Sequence, residues 1–240
     1  QGDLYASKIR SSGSETMVLL QTGEIISDVT SDAERTVPED GDGTFADVSV
    51  SGSHYFAVTN TGAFYFSSNG KTWEKISDGN EEAGEINALT ILGKMGIACG
   101  NGGRIIVCDT NSVVTPSVSS ESDLLTSCSD GKRVLIGGSD GYVCTTVNGT
   151  LFRQLTSEEI PVSAEDAWVL SDYSEEEFVL IDRTGKVAIG TYNEKNGKYA
   201  FKRSEAVLPN GLQPTQLSVF AGGDIWVLTD NGFIYAFARS

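Results

Sequence analysis

The chain has one histidine, five prolines and only 17 lysines and arginines in 240 residues. The lone imidazole, His54 in SGSHYF, leaves little room for a Ser–His–Asp triad and reads more simply as a surface-turn residue. It also lies far in sequence from the four cysteines, Cys99, Cys108, Cys128 and Cys144, which argues against zinc. Those cysteines form no CxxC pair and sit inside apolar runs; small buried hydrophobes is the leading reading, with a disulfide left open. Against 33 acids the few basic residues give a net charge of −16 and a pI near 4.3. No Lys/Arg run can neutralise phosphates, so nucleic acid is disfavoured as a partner, and an anionic membrane surface equally so. No stretch approaches the roughly 18–20 apolar residues needed to span a bilayer, and no basic-then-apolar leader opens at Gln1. Membrane insertion is not expected. GxSxG, HExxH and P-loop patterns do not occur.

Glycine is abundant, with 27 residues. Six of these glycines close a repeat: an apolar run, a glycine turn, and another apolar run. The repeats are Met17–Ile26, Tyr55–Phe66, Gly96–Val107, Val134–Cys144, Phe178–Ile189 and Ile225–Phe237. Their turn glycines, Gly23, Gly62, Gly103, Gly141, Gly185 and Gly232, are spaced by 39, 41, 38, 44 and 47 residues. Short flanking runs rich in Val, Ile, Phe and Tyr read as strands, and no segment carries a capped helical stripe.

A weaker strand can be placed ahead of five hairpins (Asp47–Val50, Ile86–Ile91, Leu124–Cys128, Ala167–Leu170, Gln216–Phe220). Another follows three of them (Thr72–Ile76, Leu151–Leu155, Tyr199–Arg203). Four antiparallel strands in about 40 residues make the blade of a β-propeller. The whole chain, 1–240, is therefore expected to be a single all-β domain of six four-stranded blades. The sixth repeat stops after its third strand, so Asp3–Ala6 is expected to close the ring as the missing outer strand.

The segment FSSNGKTWEKI (Phe66–Ile76) resembles the Asp-box, or BNR repeat, S-x-D-x-G-x-[TS]-W. Gly70, Thr72 and Trp73 match, Phe66 replaces the Ser, and Ser68 stands at the Asp. A second copy, Thr145–Phe152, keeps Gly149, with Phe152 at the aromatic position and Val147 at the Asp. The resemblance implies a structural turn between a blade's third and fourth strands, with the Asp accepting hydrogen bonds and the ring packed on the blade. Propellers of this kind include sialidases, but the eight arginines here are scattered and no Arg-Ile-Pro signature occurs.

In an up-and-down blade the 4→1 connectors and the 2→3 hairpins share one face of the disc. Connectors 38–44, 78–85, 119–123 and 157–166 hold 13 of the acids in 30 residues and no Lys or Arg. Asp40, Asp42, Asp78, Glu81, Glu82, Glu158 and Glu159 are the acidic-face candidates. Turns assigned to the opposite face carry Arg35, Lys71, Lys94, Lys132, Arg133, Lys195 and Lys198. Near the channel mouth the inner hairpins offer Asn101, Arg104, Tyr142, Arg183 and Lys186 to a small ligand or peptide, though Arg104 and Arg183 could instead pair with nearby acids. DGDG (Asp40–Gly43) could suit Ca2+, but such turns need no ion, and no cofactor or metal is expected. The favoured function is a non-enzymatic module, a monomeric domain of a larger protein, binding a protein, peptide or glycan, basic in character, at the cell surface, outside the cell or in the periplasm. A carbohydrate-active enzyme is the alternative.

Overall fold

A computed structural model describes residues 5–12, 15–27, 34–209 and 211–237. They form six antiparallel sheets whose strands neighbour one another in chain order. The first blade is β1 (Ala6–Ser12), β2 (Glu15–Leu20), β3 (Ile25–Ser27) and β4 (Arg35–Thr36). The second is β5 (Phe45–Ser51), β6 (His54–Thr59), β7 (Phe64–Ser67) and β8 (Glu74–Ser77). The third is β9 (Ile86–Leu92), β10 (Met95–Gly100), β11 (Ile105–Cys108) and β12 (Val113–Val114). The fourth is β13 (Leu124–Ser129), β14 (Val134–Gly138), β15 (Val143–Thr146) and β16 (Arg153–Gln154). The fifth is β17 (Trp168–Ser174), β18 (Glu177–Asp182), β19 (Lys186–Asn193) and β20 (Lys198–Val207). The sixth is β21 (Pro214–Val219), β22 (Ile225–Thr229) and β23 (Ile234–Phe237). This is a six-bladed β-propeller.

Equivalence of the blades shows at the backbone. Every inner strand bulges near its start, leaving Ser7, Ala46, Asn87, Leu125, Val169 or Thr215 unpaired. A bulge bends the strand and re-aims its side chains, here around the central axis. All six hairpin glycines have φ between +68° and +92°.

The second strands of the second to fifth blades are apolar on both faces because each lies between two blades. One buried cluster joins the first and second blades (Met17 and Leu19 with Phe45 and Ala57), and a second joins the second and third (Phe56 and Val58 with Leu89 and Ala98). Three more join the third to the fourth, the fourth to the fifth and the fifth to the sixth. The four cysteines are buried free thiols in these clusters. Burial pushes Cys108 and Cys144 up to about 12, so they behave as small hydrophobes.

Ring closure departs from expectation. Ala6 pairs with Leu20, and the Tyr5 carbonyl accepts from the Gln21 amide at 2.8 Å. Residues 5 and 6 therefore lead into the innermost strand of the first blade and are not an outer strand of the sixth; Asp3 and Leu4 lie outside the described residues. The reason is the bulged register at Ser7, which runs the inner strand from Ala6 through Ser12. The sixth blade has three strands among the described residues. Gln216 Nε2 donates to the Ser7 carbonyl at 2.6 Å and links β21 to β1.

Gly103 tests the turn requirement. Its φ is +73°, and a Cβ there would lie 2.0 Å from the Ser120 carbonyl oxygen. Gly131, at φ +82°, has nothing within 4 Å. Gly131→Ala should cost about 1–2 kcal/mol, the left-handed penalty alone. Gly103→Ala should cost clearly more, because backbone must also move. Urea unfolding of both variants reads the difference, and equal losses would contradict it.

Candidate binding face

The connectors and inner hairpins are tied together by one repeated hydrogen bond. The first residue of each 2→3 turn donates its N–H to the carbonyl just ahead of the inner strand of its own blade. The six pairs are Gln21 to Tyr5, Asn60 to Thr44, Asn101 to Glu85, Ser139 to Asp123, Arg183 to Ala167 and Asp230 to Gln213, at 2.8–3.0 Å. Further bonds cross to the neighbouring blade, such as Gly141 N–H to Asp166 O at 2.8 Å. Hairpins and connectors therefore lie on the same face. Loops pinned this way make a preformed surface.

The acids on that face divide into two kinds. Asp42 is buried and accepts from the Tyr65 hydroxyl, with Lys75 Nζ at 2.9 Å. Glu159, 1% exposed, takes Arg153 through both oxygens at 2.6 and 2.9 Å and accepts from the amides of Thr156 and Tyr199. Asp166 is buried against Arg203. These carboxylates hold a connector to a fourth strand, since Lys75, Arg153 and Arg203 lie on β8, β16 and β20. Asp40, Asp78 and Glu82 are exposed, and Asp78 touches Lys75 at 2.7 Å. Glu158 is exposed too, but it lies 3.8 Å from Lys198, at the 3→4-turn end of β20, and so away from the hairpin face. The Glu81 side chain lies outside what is described. The turn read as a Ca2+ candidate is thus organised at Asp42 by a tyrosine and a lysine.

Exposed Lys71 and Lys195 lie in 3→4 turns and exposed Lys94 and Lys132 in 1→2 turns, on the opposite face. Arg133 is 9% exposed and clamped by Asp130 and Glu194, both at 2.8 Å. Arg35 does not belong to that face: it reaches Glu24 beside the first inner hairpin at 3.1 Å.

Of the channel-mouth candidates, Asn101 reaches the axis, where its Oδ1 accepts from Asn87 Nδ2 at 2.8 Å. Arg104 instead spends its guanidinium on backbone, donating to Thr61 O at 2.9 Å and to Gly84 O. Tyr142 is 5% exposed and belongs to the core between the third and fourth blades, so its ring is not offered to a ligand. Arg183 and Lys186 are exposed. The channel itself, a cavity of about 320 Å3, is lined by residues that sequence patterns did not flag, among them Lys8, Arg10, Asp47, Asn87 and Gln216. Lys8 Nζ sits 3.0 Å and Arg10 Nη2 3.4 Å from the Asp47 carboxylate. Burial alone would raise the Asp47 carboxyl; Lys8, Arg10 and the Leu89 amide outweigh it and hold it below the usual range. The only forewarning in sequence is the K-x-R spacing of residues 8 and 10.

The 3→4 turns differ from the Asp-box expectation in which side chain accepts the hydrogen bonds. Ser67 Oγ accepts from Gly70 N–H at 2.9 Å, and Asn69 Oδ1 accepts from Lys71 and Thr72 N–H, both at 2.9 Å. In the fourth blade, Thr146 and Asn148 make the same bonds to Gly149, Thr150 and Leu151 at 3.0 Å. The accepting side chains are therefore Asn69 and Asn148, one residue beyond Ser68 and Val147. Trp73 and Phe152 pack against the buried clusters beside their turns.

The Glu159 clamp predicts a pH dependence. Burial opposes its charge, but Arg153 and the two amides prevail and hold the carboxyl down at about 2. An unfolded glutamate titrates near 4.3. The stabilisation is therefore complete above that value and is lost as pH falls toward 2. Glu159→Gln should lower stability by about 2 kcal/mol at neutral pH, discounted for the half-exposed Arg153. The gap to the parent should close toward pH 2; a gap independent of pH, read by chemical denaturation across the range, would contradict the clamp.

Comparison with known proteins bears on the fold alone. No protein-family model matches the chain, and no curated protein does. Among solved structures it is similar to YCF48 from Cyanidioschyzon merolae, with 14% identity and a TM-score of 0.68 over 96% of this chain and 81% of that one. It is similar to YCF48 bound to D1 peptide, with 12% identity and a TM-score of 0.72 over 99% and 78%. It also resembles the extracellular domain of the putative one component system BT4673 from B. thetaiotaomicron, with 11% identity and a TM-score of 0.67 over 98% and 32%. At these identities the likeness establishes a shared β-propeller architecture.

Proposed function

We propose that this domain is a non-enzymatic interaction module that binds a basic segment of a protein partner on its connector-and-hairpin face. The observation that carries the reading is how charge is partitioned there. Lys75, Arg104, Arg153 and Arg203 are all committed to scaffold carboxylates or carbonyls. Asp40, Glu82, Glu121, Asp123 and Glu165 remain exposed around them. Arg183 and Lys186 are the exposed cations among them, so the surface is predominantly and not wholly acidic. A rigid surface with an excess of one sign steers a partner of the other sign and fixes its orientation. Support by analogy comes from YCF48, which has been solved with D1 peptide bound. The extracellular setting expected from composition belongs to the same reading, and the BT4673 neighbour is an extracellular domain.

The test uses a panel of lysine- and arginine-rich peptides, with acidic peptides of equal length as controls. Binding should be confined to the basic peptides and weaken as salt rises from about 50 to 300 mM. A triple variant, Asp40→Lys, Glu82→Lys, Glu165→Lys, should reduce affinity about tenfold or more, chiefly through association rate. Basic peptides that bind parent and triple variant alike would rule the face out.

A further inference from the structure

Five blade interfaces are filled, and among the described residues the sixth is not. Each of the five pools side chains from two adjacent blades, whereas Val18, Leu20 and Ile26, themselves buried, cluster with no side chain of the sixth blade among the described residues. Across from them the sixth blade turns Phe220, Trp226 and Ile234 toward the seam, 49%, 43% and 61% exposed. Ile9, on the first-blade wall, is 58% exposed. Between the walls is a cleft of about 470 Å3, within the range of roughly 300–1,000 Å3 typical of binding clefts. Lys8 and Arg10 also line it, and among the described residues no carboxylate does, in a chain with 33 acids.

The outer edge of β23 flanks this cleft, and among the described residues no strand pairs with it. The Phe233 carbonyl accepts from Thr229 N–H at 3.0 Å. Antiparallel alternation then turns the backbone N–H and C=O of Ile234 and Ala236 away from β22, toward the open edge. The stretch Phe233-Ile234-Tyr235-Ala236-Phe237 has no charge and no proline, the devices that keep natural edges unpaired. Ile234 and Ala236 share a face with Leu228 and Trp226, their cross-strand partners, so a strand added here would send alternate side chains into the cleft.

We infer that the seam and the β23 edge form a docking site for an extended, apolar segment of a partner polypeptide, added as the fourth strand of the sixth blade. Main-chain hydrogen bonds along the edge give it affinity, and alternate apolar side chains in the cleft give it selectivity. A second copy of this chain is the poorer occupant, because a net charge of −16 opposes self-association. The acidic face is a separate surface, and the seam does not depend on it.

The probe is a synthetic uncharged peptide based on Lys198–Val207, the molecule's own longest fourth strand, which pairs with β19, with threonine in place of Lys198, Lys202, Arg203 and Glu205. It is titrated calorimetrically at about 300 mM salt, where contacts to exposed acids are screened. Ala236→Pro deletes an outward N–H while sparing the β22 ladder; it should weaken binding about tenfold, the loss of one or two strand hydrogen bonds. Ala236→Val and the triple face variant should bind like the parent, with circular dichroism confirming that all are folded. Hydrogen exchange should show β23 amides open in the free domain and slowed by the peptide. Any of four results overturns the site: no binding, equal binding to Ala236→Pro, β23 amides already protected in the free monomer, or a dimer that Ala236→Pro dissolves.

Discussion

Each blade of this protein is apolar on both faces, and the ring follows from that single constraint. A sheet with one buried face can be covered by one layer, but Phe56, Ile97, Leu135 and Val179 lie on second strands that need a neighbour on each side. Successive wedges around an axis satisfy the need without long-range crossings, because the second to fifth blades each pack against the blade before and the blade after in sequence. The placement of loops is a consequence. Once inner strands lie side by side around the axis, each chain crossing from outer to inner strand must pass over the same end as the inner hairpin, and the turn-to-connector hydrogen bond fixes it there.

That geometry decides what a carboxylate can do. A connector passing over a fourth strand brings Asp42 to Lys75 and Glu159 to Arg153, and there burial converts the acid into a fastener with a partner of opposite charge. An acid pointing away from the strand stays in water and adds to the field of the face. Neighbouring positions in one connector take different roles: Glu158 is 85% exposed and Glu159 2% at the side chain. Charge counts by segment are blind to this division, since it depends on where the fourth strand passes.

The hairpins were legible because a positive φ in a tight turn selects glycine and the flanking strands select branched and aromatic residues, so both signals recur at the same spacing. The first inner strand was not. Ala6–Ser12, ASKIRSS, carries a single large apolar residue, Ile9, because Lys8 and Arg10 face Asp47 at the axis. A strand whose partner is a buried carboxylate has no hydrophobic periodicity to read. Asn69 and Asn148 were missed for a different reason: an ungapped alignment compares positions, whereas the turn selects for an oxygen that can reach two amides. Tyr142 looked like a loop residue beside Gly141, yet its ring turns inward with Val134 and Cys144.

The two surfaces left unsatisfied by the ring meet at one place. The hairpin joining β22 to β23 lies on the acidic face, where Asp230 N–H bonds to Gln213 O, and β1 leaves the same face at Tyr5. The open seam therefore begins at the rim of the charged surface. An extended segment paired along β23 would emerge among exposed carboxylates, so basic residues next to its apolar stretch would add electrostatic attraction without a second docking event. Linked contacts of this kind act at high effective concentration, and two individually weak surfaces then suffice for a stable complex.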